Sequence, residues 1–332
     1  MKVNSAVWSD PLCKMKWHTD IGHELTFLPK APVKHRELKT ALCDYNSFPT
    51  DIERKYMDDI DDIVERIGDK FLAKDIPTHR LMRDVHCVEV SSDLLTSWQE
   101  LVVWNEMVRY EAGKLKLKPE VDWIGGGMGH QHIDLMVGLE AANLFRLVAA
   151  RPYLAWVFLT YEDDKNAVTH ASRYLVNEDF ELSEKLYFTP DNDDFYIFNG
   201  KDANHFYDHR DATNERGCVL TYRNGGSHWE PETIEWRAFD AAPTIEQQIE
   251  HTAFLQALVG HAKKQKTLLK PVLSSVNEAK GLLKRYGQGS RAFDRSAKEF
   301  LAFIKELGLP TSRYEKYVET NLRQRIAHGN PI

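Results

Sequence analysis

The residues whose types and spacing suit chemistry are three glutamates and two histidines set in short, largely apolar runs. They are Glu24 in DIGHELTFL, Glu89 in DVHCVEVS, His130 and His132 in MGHQHIDLM, and Glu235 in ETIEWRAF. On an extended strand, residues i and i+2 project from one face, so His130 and His132 share a face and Gln131 takes the other. Gly125, Gly126, Gly127 and Gly129 precede them and permit close backbone approach to a ligand. A carboxylate in the middle of an apolar strand faces either water or a cavity that holds a cation. Taken singly, each glutamate is most simply solvent-facing and the histidine pair most simply structural. Three such glutamates together with His-x-His point instead to a shared site. Carboxylate oxygens with one or two imidazoles suit Mg²⁺ or Mn²⁺ better than structural zinc. Arg237 follows Glu235 by two and shares its face. A glutamate for the metal and an arginine for an anion is a pairing suited to phosphoryl transfer. Arg216 and Arg223 are further candidates to hold a phosphate or a substrate carboxylate.

These side chains need elements to position them. Residues 20–28 and 84–91 read as strands. A short strand follows the glycine cluster within 122–136 and ends at Gly138, and a helix runs on to about Ala150. Residues 153–160 and 193–199 are apolar and aromatic and are expected to be strands, with the polar stretch 162–192 as a long loop. Residues 217–223 and 232–239 read as two strands joined across NGGSHWEP. Residues 51–72 carry apolar side chains at three- and four-residue steps, predicting an amphipathic helix, with Thr50 and Glu53 at capping-box spacing. A second helix is expected up to Gly113, capped by Ser92 or Asp93. From about residue 244 four helical segments follow, near 244–263, 265–286, 292–308 and 312–327, with breaks at Gly287–Gly289 and Gly308–Pro310. Strands without regular βαβ alternation, followed by helices, predict an α+β fold with a mainly antiparallel sheet. The expected organisation is a sheet domain over 1–243 and a helical C-terminal region over 244–332.

The bulk numbers bound the setting. The chain has 332 residues, 42% hydrophobic and 28% charged, as a soluble globular protein does. Its four cysteines (Cys13, Cys43, Cys87 and Cys218) form no CxxC pair, which argues against a disulfide framework or a cysteine-rich zinc module. No membrane span or secretory signal is apparent, so the expected location is the cytoplasm. The net charge of −7 is uneven: residues 261–332 hold fifteen Lys/Arg against six Asp/Glu. That stretch is a solvated helical face or a surface for an anionic nucleotide, polymer or subunit.

The residues quoted above resemble the amidoligase family of glutamine synthetase-like carboxylate–amine ligases, over roughly residues 20–265. The family pattern Gly-x-Glu-x-Glu-Phe appears as Gly22-His23-Glu24-Leu25-Thr26-Phe27. Its next metal-binding strand appears as Cys87-Val88-Glu89-Val90, and its Gly-x-His-x-His-x-Asp strand as Gly129-His130-Gln131-His132-Ile133-Asp134. Its Thr-x-Glu-Phe-Arg segment appears as Thr233-Ile234-Glu235-Trp236-Arg237, and Asn143-Leu144-Phe145-Arg146-Leu147 resembles the helix after the histidines. The resemblance implies a glutamine synthetase-like sheet with flanking helices, and ATP with Mg²⁺ or Mn²⁺ as cofactors. It implies a carboxylate activated as an acyl phosphate and then attacked by an amine. Glu24, Glu89, His130 and Glu235 match metal-ligand positions. His132 matches the position facing the ATP phosphates, and Arg237 the arginine near the transferred phosphoryl group. The base that deprotonates the amine is not identified; Glu162, Asp163 and Asp164 are candidates. One departure stands out. The family's second glutamate is Thr26 here, which removes a carboxylate from a site that holds more than one metal.

Three functions follow as expectations. The first is the ATP-dependent ligase, acting on small-molecule or peptide carboxylates and amines, with no membrane partner and with homo-oligomerisation open. The second is a catalytically degenerate descendant that binds or assembles, motivated by Thr26 and the basic C-terminal helices, the segment through which nucleic acid would also be met. The third is a transition-metal hydrolase built on the two histidines and Asp134, which would need no ATP.

Overall fold

The computed structural model describes residues 7, 9–28, 51–84, 87–119, 129–136, 138–155, 157–158, 220–223, 233–237, 239, 242–267, 269 and 291–318. The chain divides into two compact units. One comprises Met1–Gln131 with Phe239–Ile249, the other His132–Ala238 with Glu250–Ile332. Strand pairing is antiparallel in both, and helices accompany it, so the class is α+β.

In the first unit, β1 (Ile21–Leu28) lies beside β3 (Cys87–Ser91), and β3 lies beside β2 (Arg80–Asp84). The register sets Glu24 opposite Ser91 and Thr26 opposite Glu89. The two-residue β4 (Lys118–Pro119) pairs with the end of β1. The sequence shows no clear signal for β2, because RLMRD is charged. It sits outermost in the order β2-β3-β1, where charged side chains are tolerated and discourage further pairing. The predicted single strand 84–91 is corrected accordingly: Asp84 ends β2 and Cys87 begins β3.

Helix α1 (Asp51–Leu72) has the predicted bounds and packs on β2, β3 and α2 (Trp98–Lys114), burying Ile60, Ile67 and Phe71 along one face. Its expected cap, Thr50, lies outside the described residues. Past its end, Ile76 N–H donates to Phe71 C=O and Asp75 N–H to Leu72 C=O, with Asp75 at φ 54°. This is a Schellman termination, supported by burial of both Ile76 and Phe71. The cap of α2 is Ser97, whose side chain accepts from Glu100 N–H, and not Ser92 or Asp93. The chain stays extended to Leu95, which exchanges backbone bonds with Ile21, so the helix cannot begin earlier. Helix α2 buries Trp98, Leu101, Trp104 and Val108, and the Trp98 and Trp104 indoles donate to Met15 and Pro77 carbonyls at 2.9 and 2.8 Å.

One further strand, β5 (Gln131–Asp134), begins at the division between the units. The second unit contains α3 (Gly138–Ala149), the antiparallel pair β6 (Leu220–Arg223) and β7 (Thr233–Trp236), and most of α4 (Ile245–Lys264). It also contains α5 (Arg291–Glu306) and α6 (311–318). The expected strand over 153–160 is overturned: Pro152–Ala155 is a 3₁₀ helix, and 157–158 form a turn. Tyr153, Leu154, Val157 and Phe158 are the buried residues, a three- to four-residue step that serves a helical winding and not a strand. Phe158 gathers His251, Phe254, Phe300 and Tyr317 around it, with ring centroids 4.7–5.7 Å away. Asn143 holds the segment after α4, donating to Thr267 C=O and accepting from Leu269 N–H. Gly308 ends α5 at φ 78° in another Schellman turn. The expected strand 193–199 and the loop 162–192 lie outside the described residues; of the expected helix 265–286, residues 265–267 and 269 are described and are not helical, and the rest lie outside them.

Candidate metal and phosphate site

Within the first unit, β1 carries Glu24 and Thr26 on one face and His23, Leu25 and Phe27 on the other. Glu24 N–H donates to the His130 carbonyl at 3.1 Å, which fixes the backbone of the glycine-led segment against β1. The side chains meet as well: His130 Nδ1 lies 2.9 Å from a Glu24 carboxylate oxygen, and each side chain is 13% exposed. A carboxylate beside an imidazole orients the ring and raises its basicity, as it does around metal centres. Glu89 comes to the same face from β3, opposite Thr26 and diagonal to Glu24. It is buried and accepts from the Ser91 hydroxyl at 3.4 Å. On the reverse face, His23 Nδ1 pairs with the Gln248 amide at 2.7 Å beside Trp104, and the Ser92 hydroxyl receives His23 N–H. Sequence reasoning did not single out this buried polar support, because Gln248 lies 225 residues from His23. Arg109 anchors the start of α4 by donating to the carbonyls of Ala242 and Pro243 at 2.7 and 3.1 Å. Burial lowers its guanidinium to about 10, with Glu246 acting in the opposite sense.

Within the second unit, Glu235 is fully buried in the middle of β7, and Arg237 donates to it at 2.7 Å. The two-residue spacing read from the sequence therefore gives a shared face and an actual ion pair. His132 Nδ1 is 2.9 Å from the Thr233 hydroxyl, so β7 orients this imidazole through Thr233. The contact of Thr233 with His132 is fixed by the placement of β7 and not by the local sequence around either residue. Burial alternates along His130, Gln131, His132, Ile133 and Asp134, with Gln131 and Ile133 buried, as the strand reading of His-x-His requires. Asp134 is exposed and accepts from Leu135 N–H. Arg223 stands in register with Thr233. Arg216, Glu162, Asp163, Asp164 and Gly125–Gly127 lie outside the described residues.

The described geometry thus contains two acidic–basic couples, Glu24 with His130 and Glu235 with Arg237, and two hydroxyl-supported groups, Glu89 with Ser91 and His132 with Thr233. In the first unit the oxygen and imidazole donors of Glu24, Glu89 and His130 suit a hard divalent cation; in the second the Arg237 guanidinium is of a kind that suits a phosphate. Compared with known proteins, the chain matches no family model and no curated protein. No helix of the described residues is long and apolar enough to cross a membrane.

Proposed function

We propose that the chain is an ATP- and Mg²⁺-dependent carboxylate–amine ligase of the glutamine synthetase-like type. What carries this reading is the Glu24–His130 pair, a carboxylate and an imidazole in contact at 2.9 Å with both side chains still partly exposed. In the proposed mechanism Glu24, Glu89, His130 and Glu235 hold the cation, and His132 and Arg237 face the phosphates. Bound Mg²⁺ would supply neutralisation of the charge on the transferring phosphoryl group. Arg237, held by Glu235, would keep its guanidinium planar and aimed at an anion. Thr233 would keep the His132 ring from rotating. Bringing an anionic carboxylate to an anionic phosphoryl group is the difficulty, and fixed positive charge in a dry site offsets it.

The test is phosphate release from ATP, measured with carboxylate and amine supplied singly and together. Turnover should require both, and Glu235→Ala and His130→Ala should each reduce it by at least about 100-fold. If both variants fold and retain wild-type turnover, the site assignment is wrong. Thr26 in place of a carboxylate favours the second reading, a non-catalytic binding protein. That reading predicts no ATP-dependent product and no heat of nucleotide binding by calorimetry.

A further inference from the structure

Helix α1 keeps one long side in water, and the charge along that side is lopsided. Asp58, Asp59, Asp62 and Glu65 are exposed. Asp61 beside them pairs with Arg83 at 2.8 Å, but these four form no ion pair among the described residues. Asp58 and Asp62 stand four residues apart and Asp62 and Glu65 three, the spacings at which like charges on a helix repel. All four lie beyond the first turn, the part of a helix where its dipole favours acidic side chains. A cationic surface laid along this stretch would relieve the repulsion.

The other end of the same helix is opposite in kind. Leu72, the last residue of α1, is 85% exposed, and Tyr110 on α2 is 49% exposed; among the described residues these are the exposed large hydrophobic side chains. Lysines surround them. Lys74 Nζ stands 5.6 Å and Lys114 Nζ 4.1 Å from the centre of the Tyr110 ring, and both donate to the buried Glu111 carboxylate. Two ammoniums on one carboxylate leave positive charge over. Lys70, half-buried on α1, and Lys116 and Lys118, exposed just past α2, add to it, against Asp69 and Asp75. At 1.5 Å per residue, Asp58 and Leu72 are about 21 Å apart along the axis, so the two ends of α1 cannot meet within one chain.

We propose that this side of α1, with Tyr110 and the lysines beside it, is the interface between two copies of the chain. A two-fold axis across the middle of α1 sets the two helices antiparallel. The lysine end of each then covers the aspartate stretch of the other, and a single symmetry operation satisfies both, as an isologous contact requires. Arg66, exposed near the middle of α1, comes opposite Glu65 of the second copy. A polyanion would cover the lysine end alone and leave the aspartates unrelieved, whereas a second copy matches both. One helix face with a flanking patch lies at the small end of specific interfaces, so the association is weak and dissolves as salt rises. The surface belongs wholly to the first unit and does not depend on the ligase reading.

The experiment is sedimentation velocity of the full chain over a range of concentrations, in low and in high salt. The wild type should dimerise with a dissociation constant on the order of 10–100 μM in about 50 mM salt, and at least about tenfold more weakly in about 500 mM. Asp58→Lys with Asp62→Lys, and separately Lys70→Glu with Lys116→Glu, should each weaken self-association by at least about tenfold. Lys74 and Lys114 stay in place because they balance Glu111. Mixing the two charge variants restores opposite signs at both contacts, so a heterodimer of wild-type affinity should form. Leu72→Ser, at a side chain already in water, should weaken the dimer severalfold and leave the fold intact. A wild type that stays monomeric at about 200 μM in low salt overturns the proposal. So does a dimer that either charge variant or Leu72→Ser leaves unchanged, and so does a mixture of the two folded charge variants that fails to associate. Growth into open-ended assemblies overturns the two-fold arrangement.

Discussion

Replacing Glu250 should be among the costliest changes in the second unit. Its carboxylate is 2% exposed on α4 and draws together three donors from α6. Arg313 Nε lies at 2.9 Å on one oxygen; Lys316 Nζ at 2.6 Å and the Tyr317 hydroxyl at 2.7 Å meet the other. The Tyr314 hydroxyl adds a bond to the Glu250 carbonyl at 2.8 Å. Arg313 and Lys316 are 32% and 52% exposed and recover water when the carboxylate is lost. Tyr317 is 1% exposed and does not. A stranded buried hydroxyl costs about 1–3 kcal/mol, and the one deleted buried methylene adds about 0.8 kcal/mol. Glu250→Ala should therefore destabilise by about 2–4 kcal/mol, overlapping the range for breaking a buried charged contact. Glu250→Gln keeps the volume and an acceptor and should cost about half as much. Tyr317→Phe should cost about 1 kcal/mol in the wild type and almost nothing in Glu250→Ala, since its partner is already gone. The assay is urea unfolding of the full chain, with hydrogen exchange over 311–318 to localise the loss. Additive effects in that double-mutant cycle, or a cost below about 1 kcal/mol for Glu250→Ala, would refute the reasoning.

Two smaller perturbations test local features. Gly113 lies exposed in the last turn of α2 with open space where a Cβ would stand, so Gly113→Ala should raise stability by about 0.5–1 kcal/mol by thermal or urea unfolding. Glu111 is buried; burial pushes its carboxyl up, but hydrogen bonds and charge from Lys74 and Lys114 more than offset this and leave it below the ordinary value of 4.5. A lowered folded-state value means the contribution is present above about pH 4.5 and is lost as pH falls below it. The acid limb of a stability–pH curve should therefore flatten in Lys74→Met, Lys114→Met double variants, and an unchanged limb would refute the assignment.

Much of the fold was legible because local physics dominates where periodicity is strong. Helix α1 announces itself through apolar residues at three- and four-residue steps, and its bounds match. The shared face of Glu235 and Arg237 follows from strand geometry alone, and so does the alternation of burial around His130 and His132. The run 153–158 misled because a continuous apolar stretch carries no period, and only its neighbours Phe254, Phe300 and Tyr317 select the winding. The helix stops divide the same way. Gly308 is visible as a breaker, whereas Asp75 and Lys116 take positive φ without any glycine to mark them. Gly113, expected to end α2, sits one residue inside it.

The sequence by itself determined which residues carry charge and chemistry, and which neighbours in the chain share a face, because a strand's two-residue period is a property of the backbone. It determined that position 26 holds a hydroxyl and not a carboxylate. Only the tertiary structure decided what those residues meet. Glu24 contacts His130 across more than a hundred residues of chain, and His23 finds Gln248 on the opposite face. Thr26 stands opposite Glu89 because β1 and β3 pair in one register and not one step away, where every side chain would change face. Register is set by the summed burial of both strands, a quantity no single motif contains.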